Sequence, residues 1–259
     1  MSSGRTLSLD GLDLHYLDPS PDAPGLPLIF IHGLDSSHLA WRHVVEAMRR
    51  GRRVIALDLP GFGLSAKPLD GVYTVQAMAD MVAAFMDALG LERAVLCGHS
   101  IGGAVCDLLA RQRPARVAAL ILVAAYRLAR LGHPDLDAKI ASNILLFSYF
   151  DKARIDMGVA ARQRAFYDTA ELRALRTRIA DDLLGASPAR VADFPDTVPC
   201  LMVWGREDLV LPLSVAHQCA EDHPGGALRV IDAAGHAVEE EAPDATVAAI
   251  TEFLAPQNL

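Results

Sequence analysis

The chain has 259 residues, 52% of them hydrophobic and 22% charged, and a formal net charge of −8. That balance is typical of a globular protein and excludes a disordered or fibrous chain. The acidic total, with no basic stripe, argues against nucleic acid as a partner. The longest apolar run, Val117 to Tyr126, is about half the ~20 residues that a membrane span needs.

Predicted elements begin with a β-hairpin, Thr6–Leu9 and Leu12–Tyr16, turning at Asp10-Gly11. A Pro-rich stretch from Pro19 to Pro27 leads into Leu28–Ile31, a continuous apolar run suited to a strand buried on both faces. A helix is expected over Trp41–Arg50, a strand over Val54–Leu57, and a helix over Val75–Leu89 closed by Gly90. Strand Ala94–Cys97, helix Gly102–Arg111 and strand Val117–Ala125 follow. After an interruption come strands Leu201–Trp204 and Leu228–Ile231 and a closing helix Ala242–Leu254. This alternation predicts an α/β fold with a doubly wound, mostly parallel sheet. Between Arg127 and Asp196 the apolar residues keep helical spacing and no strand-like run occurs. The expected organisation is a core formed by 1–126 and 197–259, with 127–196 inserted as a helical cap.

Four cysteines, Cys97, Cys106, Cys200 and Cys219, lack C-x-x-C spacing, and Cys97 and Cys200, set in apolar runs, read as small buried hydrophobes. The N-terminus has no apolar stretch resembling a signal peptide, so a cytoplasmic protein is expected.

The sharpest chemical signal is Gly98-His99-Ser100-Ile101-Gly102-Gly103, set between a strand and a helix. A G-x-S-x-G at such a junction makes a tight turn that lifts the serine hydroxyl above the sheet. The following helix points free N–H groups and a positive dipole end at the site. A serine hydroxyl needs a base, and nine histidines compete for that role. His236 follows the last strand and precedes the last helix, which places it on the same carboxyl rim as Ser100. His15, His38, His43, His133, His217 and His223 read as ordinary structural or surface histidines. The base needs an orienting carboxylate. Glu207 and Asp208 both follow strand Leu201–Trp204, and the order Ser…Asp…His favours Asp208 over Asp58, which precedes the nucleophile. In Ile31-His32-Gly33-Leu34 the glycine lets backbone fold over the site. The Leu34 and Ile101 N–H groups are the expected oxyanion donors, with His32 bonding loop backbone.

These motifs together resemble the α/β-hydrolase fold superfamily, from about Thr6 to Leu254. His32-Gly33 resembles its oxyanion loop, and Asp58-Leu59-Pro60-Gly61-Phe62-Gly63-Leu64-Ser65 its D-x-P-G-x-G-x-S segment. Gly98 to Gly103 resembles the nucleophile elbow, Gly205-Arg206-Glu207-Asp208 the acid segment, and Gly235-His236 the histidine loop. Ser100 stands where haloalkane dehalogenases and epoxide hydrolases of this fold carry aspartate. Gly33-Leu34-Asp35 departs from the H-G-G-G of many lipases and the H-G-x-G-P-G of C–C bond hydrolases, and Ala237 stands where the latter usually carry an aromatic.

The resemblance implies hydrolysis of a carboxylic ester or thioester through an acyl-enzyme, without metal or organic cofactor. Alternatives are non-hydrolytic chemistry of the same fold (acyl transfer, perhydrolysis, lyase or cyclase steps) or a ligand receptor on this scaffold. The expected partner is a small-to-medium, apolar acyl substrate, with no nucleic acid or membrane and a monomeric or homodimeric protein. In the cap, Phe147, Phe150 and Phe166, with Tyr126 at its start, are the candidate pocket residues; Ile144, Leu145, Tyr149 and Tyr167 extend the same apolar set.

Overall fold

Asp10 and Gly11 both take positive φ, 49° and 83°, the left-handed pair that a two-residue hairpin turn requires. They join β1 (Arg5–Leu9) to β2 (Leu12–Leu17) in antiparallel register, Leu9 opposite Leu12. The computed structural model describes residues 4–125, 147–185 and 192–257. The chain continues through β3 (Leu28–Ile31), α1 (Arg42–Met48), β4 (Val54–Leu57), α2 (Val75–Ala88), β5 (Ala94–His99), α3 (Ile101–Gln112) and β6 (Val117–Val123). The inserted segment contributes α4 (Met157–Ala165) and α5 (Ala170–Gly185). Then follow β7 (Cys200–Gly205), α6 (Leu213–Asp222), β8 (Ala227–Ile231), α7 (Val238–Glu241) and α8 (Pro243–Leu254).

The eight strands form one sheet in the order β1-β2-β4-β3-β5-β6-β7-β8. Pairing is parallel from β4 onward, while β2 meets β4 antiparallel. Every residue of β3, β4, β5, β6 and β7 is buried, because helices cover both faces and each side chain must be apolar or small. The edge strand β8 is only half buried, with Arg229 at its exposed centre.

Parallel register aligns the carboxyl ends. Ile31 pairs with Leu57 and Gly98, His99 with Val123, and Gly205 with Ile231. The loops that leave these ends therefore share one rim, where ligands of open α/β sheets bind.

Several boundaries depart from the sequence expectation. The helix expected at Trp41 starts at Arg42, preceded by a 3-10 turn over His38–Trp41 whose N-cap Ser37 accepts the Leu39 N–H. The closing helix starts at Pro243, one residue after the expected Ala242, which is its N-cap, and an unexpected single turn, Val238–Glu241, precedes it; proline suits the first turn of a helix. Helix α6 was not expected, since its buried face consists only of Ala216 and Cys219. All four cysteines are buried. No helix among the described residues is long and apolar enough to cross a membrane.

Candidate active site

Ser100 sits between β5 and α3 with φ 52° and ψ −119°, a left-handed conformation that L-residues adopt only under local constraint. The constraint comes from packing. A Cβ on Gly98 would lie 2.6 Å from the Gly103 nitrogen, one on Gly102 2.6 Å from the Ile31 oxygen, and one on Gly103 2.5 Å from the Ala125 methyl. Glycine at all three positions lets α3 start directly against β3, β5 and β6. The Ser100 N–H donates to the Val123 carbonyl at 3.0 Å, fixing the turn.

His236 Nε2 lies 3.0 Å from Ser100 Oγ, and His236 Nδ1 lies 2.8 Å from Asp208 Oδ2. The other carboxylate oxygen, Asp208 Oδ1, accepts the Val210 and Leu211 N–H groups, each at 2.8 Å. All three side chains are buried. With Oδ1 occupied by backbone donors, Oδ2 is left for the histidine, so Nδ1 carries the proton and Nε2 presents its lone pair to the serine. Glu207 turns elsewhere and accepts the Ala234 N–H at 3.2 Å, so of the two candidate acids it is Asp208 that contacts His236.

The acid loop and the histidine loop are built against each other. Arg206 N–H donates to Ile231 O and Glu207 N–H to Ala234 O. The indole N–H of fully buried Trp204 holds Leu211 O at 2.8 Å, closing the acid loop. On the opposite flank, the His32 ring is threaded between two backbone groups. Its Nδ1 donates to Gly33 O (2.8 Å), and its Nε2 accepts the Leu59 N–H (3.1 Å). Burial lowers the His32 pKa, favouring the neutral ring that this pairing needs. His32 thus shapes the loop that carries Leu34. Among the described residues, neither the Leu34 nor the Ile101 N–H makes a hydrogen bond. Both flank Ser100 in sequence or space, as an oxyanion site requires.

A cavity of ≈ 960 Å³ opens over Ser100 and His236, lined on the core side by Leu34, Asp35, His99 and Glu239. The inserted segment supplies Tyr149, Ile155, Met157, Ala160 and Tyr167, with Arg164, Arg173 and Arg176 among them. The expected aromatic set is placed differently. Phe150 is 52% exposed, and Phe147 and Phe166 are part-buried against the core; none of the three lines the cavity. Phe150 stays exposed although its backbone N–H is held by Glu241, and the Phe166 ring lies under the Lys67 ammonium, 5.5 Å from its centroid. Tyr126, Ile144 and Leu145 lie outside the described residues. Tyr167 lines the cavity with its hydroxyl bonded to Gly61 O at 2.7 Å.

Sequence reasoning missed the acidic run Glu239-Glu240-Glu241 behind the histidine. Glu239 and Glu241 are each 1% exposed, and Glu240 pairs with Arg42 at 2.5 Å. Three consecutive acids normally mark a solvated face; here the available signal was their position, between the histidine and Pro243.

Among the described residues, one set of metal-ligand type converges: His15, His38 and Asp58. The Asp58 carboxylate accepts from both Nδ1 atoms and from the His38 and Leu64 N–H groups. Burial alone would raise its pKa, but the two histidines hold it well below the ordinary carboxylate range. The group is saturated by protein hydrogen bonds and pins the β2, β4 and α1 entry segments together.

A family model described as alpha/beta hydrolase fold matches residues 27–165. The chain is 31% identical to a 2-hydroxymuconate semialdehyde hydrolase of Pseudomonas sp. (strain CF600), over 97% of this chain and 94% of that one. It is 28% identical to the uncharacterized hydrolase YugF of Bacillus subtilis (strain 168), over 96% and 97% of the two chains. Among solved structures, Est816, described as an N-acyl homoserine lactone degrading enzyme, superposes with a TM-score of 0.81 at 25% identity, covering 96% of this chain and all of that one.

Proposed function

Since the chain belongs to the α/β-hydrolase fold family, we propose that it is a serine hydrolase that cleaves a carboxylic ester or thioester of small-to-medium size. The observation that carries this reading is the buried relay Ser100 Oγ–His236 Nε2 (3.0 Å) and His236 Nδ1–Asp208 Oδ2 (2.8 Å) at the floor of the cavity.

Ser100 Oγ attacks the acyl carbonyl while His236 Nε2 takes its proton. The resulting imidazolium is stabilised by Asp208, whose second oxygen is already fixed by Val210 and Leu211. The oxyanion is held by the Leu34 and Ile101 N–H groups, the latter reinforced by the N-terminal end of α3. His236 then protonates the leaving oxygen or sulfur. Water, deprotonated by His236, releases the acid from the acyl-enzyme. Residues 147–185 act as a cap over the rim, and the cavity volume falls at the upper end of the range of small-molecule sites. Its walls are mixed, not purely apolar: Ile155, Met157 and Ala160 line it together with Arg164, Arg173 and Arg176.

Carbon–carbon bond hydrolysis is disfavoured by Gly33-Leu34-Asp35 and by Ala237 after the histidine. Dehalogenation is disfavoured because a serine replaces the carboxylate nucleophile that the reaction uses in this fold. The test is turnover of p-nitrophenyl esters of increasing acyl length by wild type and Ser100→Ala. Rapid turnover abolished in the variant supports the reading, and the chain-length optimum sizes the pocket. Equal activity in both, or none in folded wild type, overturns it.

A further inference from the structure

Asp35 takes φ 58°, a left-handed conformation in which a residue with a Cβ persists only when its surroundings hold it there. It is the third residue of a turn, residues 33–36, in which the Ser36 N–H donates to Gly33 O at 3.3 Å. Of the four, only Asp35 has positive φ, the pattern of a type II turn, whose third position favours glycine or asparagine. Leu34, the second residue, carries one N–H of the oxyanion site. A strained aspartate therefore stands directly beside that donor.

Its carboxylate is spent on the inserted segment. Arg176 of α5 reaches it with a fork, Nε to Asp35 Oδ1 at 2.6 Å and a terminal nitrogen to Oδ2 at 2.5 Å. Such a fork fixes direction as well as distance. Both side chains line the cavity. Two further acids of the cavity wall have other partners, Glu239 facing His99 Nδ1 at 3.2 Å and Glu240 pairing with Arg42 at 2.5 Å. The inserted segment also meets the next residue of the turn, for Gln163 Nε2 lies 3.4 Å from Ser36 Oγ. From the core side, His32 Nδ1 donates to Gly33 O at 2.8 Å. The turn is thus held by the core at its first residue and by the cap at its last two, with Leu34 between. The Arg176 side chain is 47% exposed, and ion pairs of that kind add little to stability. Geometry is the larger consequence, since a misplacement of about 1 Å near a reacting centre can cost ~10²-fold in rate.

We propose that Arg176 is a positioning residue for the oxyanion site: through Asp35 it fixes the turn so that the Leu34 N–H points at the developing oxyanion. The oxyanion site is then complete only while α5 is seated on the rim. The inference rests on the serine-hydrolase reading above.

The experiment measures kcat and KM on the best p-nitrophenyl ester for wild type, Arg176→Gln, Asp35→Asn, the double variant and Arg176→Lys. Asparagine tolerates the left-handed conformation, so Asp35→Asn removes the charge and keeps the turn. Each of Arg176→Gln and Asp35→Asn is expected to lower kcat about tenfold with KM within about twofold, part of the ~10²- to 10³-fold that loss of a whole oxyanion donor costs. The double variant should lose no more than either single one, and Arg176→Lys, which keeps the charge but not the fork, should fall between. Arg178, on the same helix, bonds Gly71 O and Leu69 O instead, at 2.9 and 2.8 Å. Arg178→Gln therefore controls for a loosened cap, and its effect should simply add to that of Asp35→Asn. Amide ¹⁵N–¹H spectra of Ser100→Ala, with and without Arg176→Gln, follow the Leu34 N–H directly and separate this inference from the reading beneath it. The Leu34 resonance should shift or broaden while those of α8 stay in place. A kcat of Arg176→Gln within about twofold of wild type, losses that add in the Arg176→Gln/Asp35→Asn variant, or an unmoved Leu34 resonance overturns the proposal. If wild type turns over no ester, the spectra alone decide: a moved Leu34 resonance supports the positioning role and an unmoved one overturns it.

Discussion

Glu241 accepts the Gly235 N–H at 2.6 Å, one residue before the histidine that contacts Ser100. The same carboxylate takes the Phe150 and Asp151 N–H groups at 3.1 and 2.9 Å. A single buried side chain thereby joins the histidine loop to the inserted segment that roofs the cavity. Glu241→Gln preserves the volume but turns an amide N–H₂ toward at least one backbone donor. The expected outcome is a loss of about 2 kcal/mol in urea unfolding, from an unsatisfied buried donor, together with a fall in kcat/KM on the best p-nitrophenyl ester as His236 loosens. Unchanged stability and activity would show that the loop is held by other contacts.

The crowding around the elbow yields a second expectation. A Cβ on Gly102 would lie 2.6 Å from the Ile31 oxygen and would also overlap the His32 oxygen. Both atoms are backbone and cannot swing aside. Gly102→Ala should therefore cost about 3 kcal/mol and displace the loop that carries Leu34, reducing activity beyond the loss of folded protein. Gly51→Ala, with nothing within 4 Å of its Cβ, is the control and should be close to neutral. Comparable denaturation midpoints for the two variants would refute the packing argument.

Asp208 divides its carboxylate between two backbone donors and one imidazole. In Asp208→Asn the amide oxygen satisfies Val210 and Leu211, and the amide N–H₂ then faces His236 Nδ1. That enforces the opposite tautomer, with the proton on Nε2, where it cannot accept from Ser100. The expected consequence is a drop in kcat of about 10³- to 10⁴-fold with the fold intact, as in serine hydrolases of other architecture. Activity within tenfold of wild type, with a native circular dichroism spectrum, would remove Asp208 from the relay.

The rim was legible because parallel strands announce themselves as continuous apolar runs: Leu28–Ile31, Ala94–Cys97 and Leu201–Trp204 all became buried strands. A crowded turn that only glycines can line then fixed where Ser100 emerges. The cavity wall was not legible, since helical spacing in the inserted segment reports which face is buried and not what it is buried against. Phe147, Phe150 and Phe166 carried the larger apolar signal, yet Ile155, Met157 and Ala160 form the wall. Glu239 and Glu241 were hidden for a related reason. Their burial depends on unpaired N–H groups and a histidine contributed from distant parts of the chain, and no local pattern encodes that.

The raised pKa of Glu239 implies a pH dependence whose sign differs from that of the usual paired carboxylate. Burial, then the charge of Glu240, disfavours its ionised form in the folded protein, while in the unfolded chain it ionises near the ordinary value of about 4.3. Between those two values the folded state binds more protons than the unfolded state, so its contribution to stability falls as pH rises. The contribution is fully present below about pH 4.3 and is lost progressively as pH climbs toward the raised folded value. Glu239→Gln removes this titration without changing the shape of the side chain. Urea unfolding of wild type and variant at pH 5 and pH 8 should therefore show wild type losing ground to the variant as pH increases. His99, the other buried group of the pair, has a lowered pKa and is present in both proteins, so the difference between them isolates the carboxyl. A wild-type-minus-variant stability that is flat, or that rises with pH, would mean that Glu239 is ionised in the folded protein and acts at the cavity wall as a carboxylate.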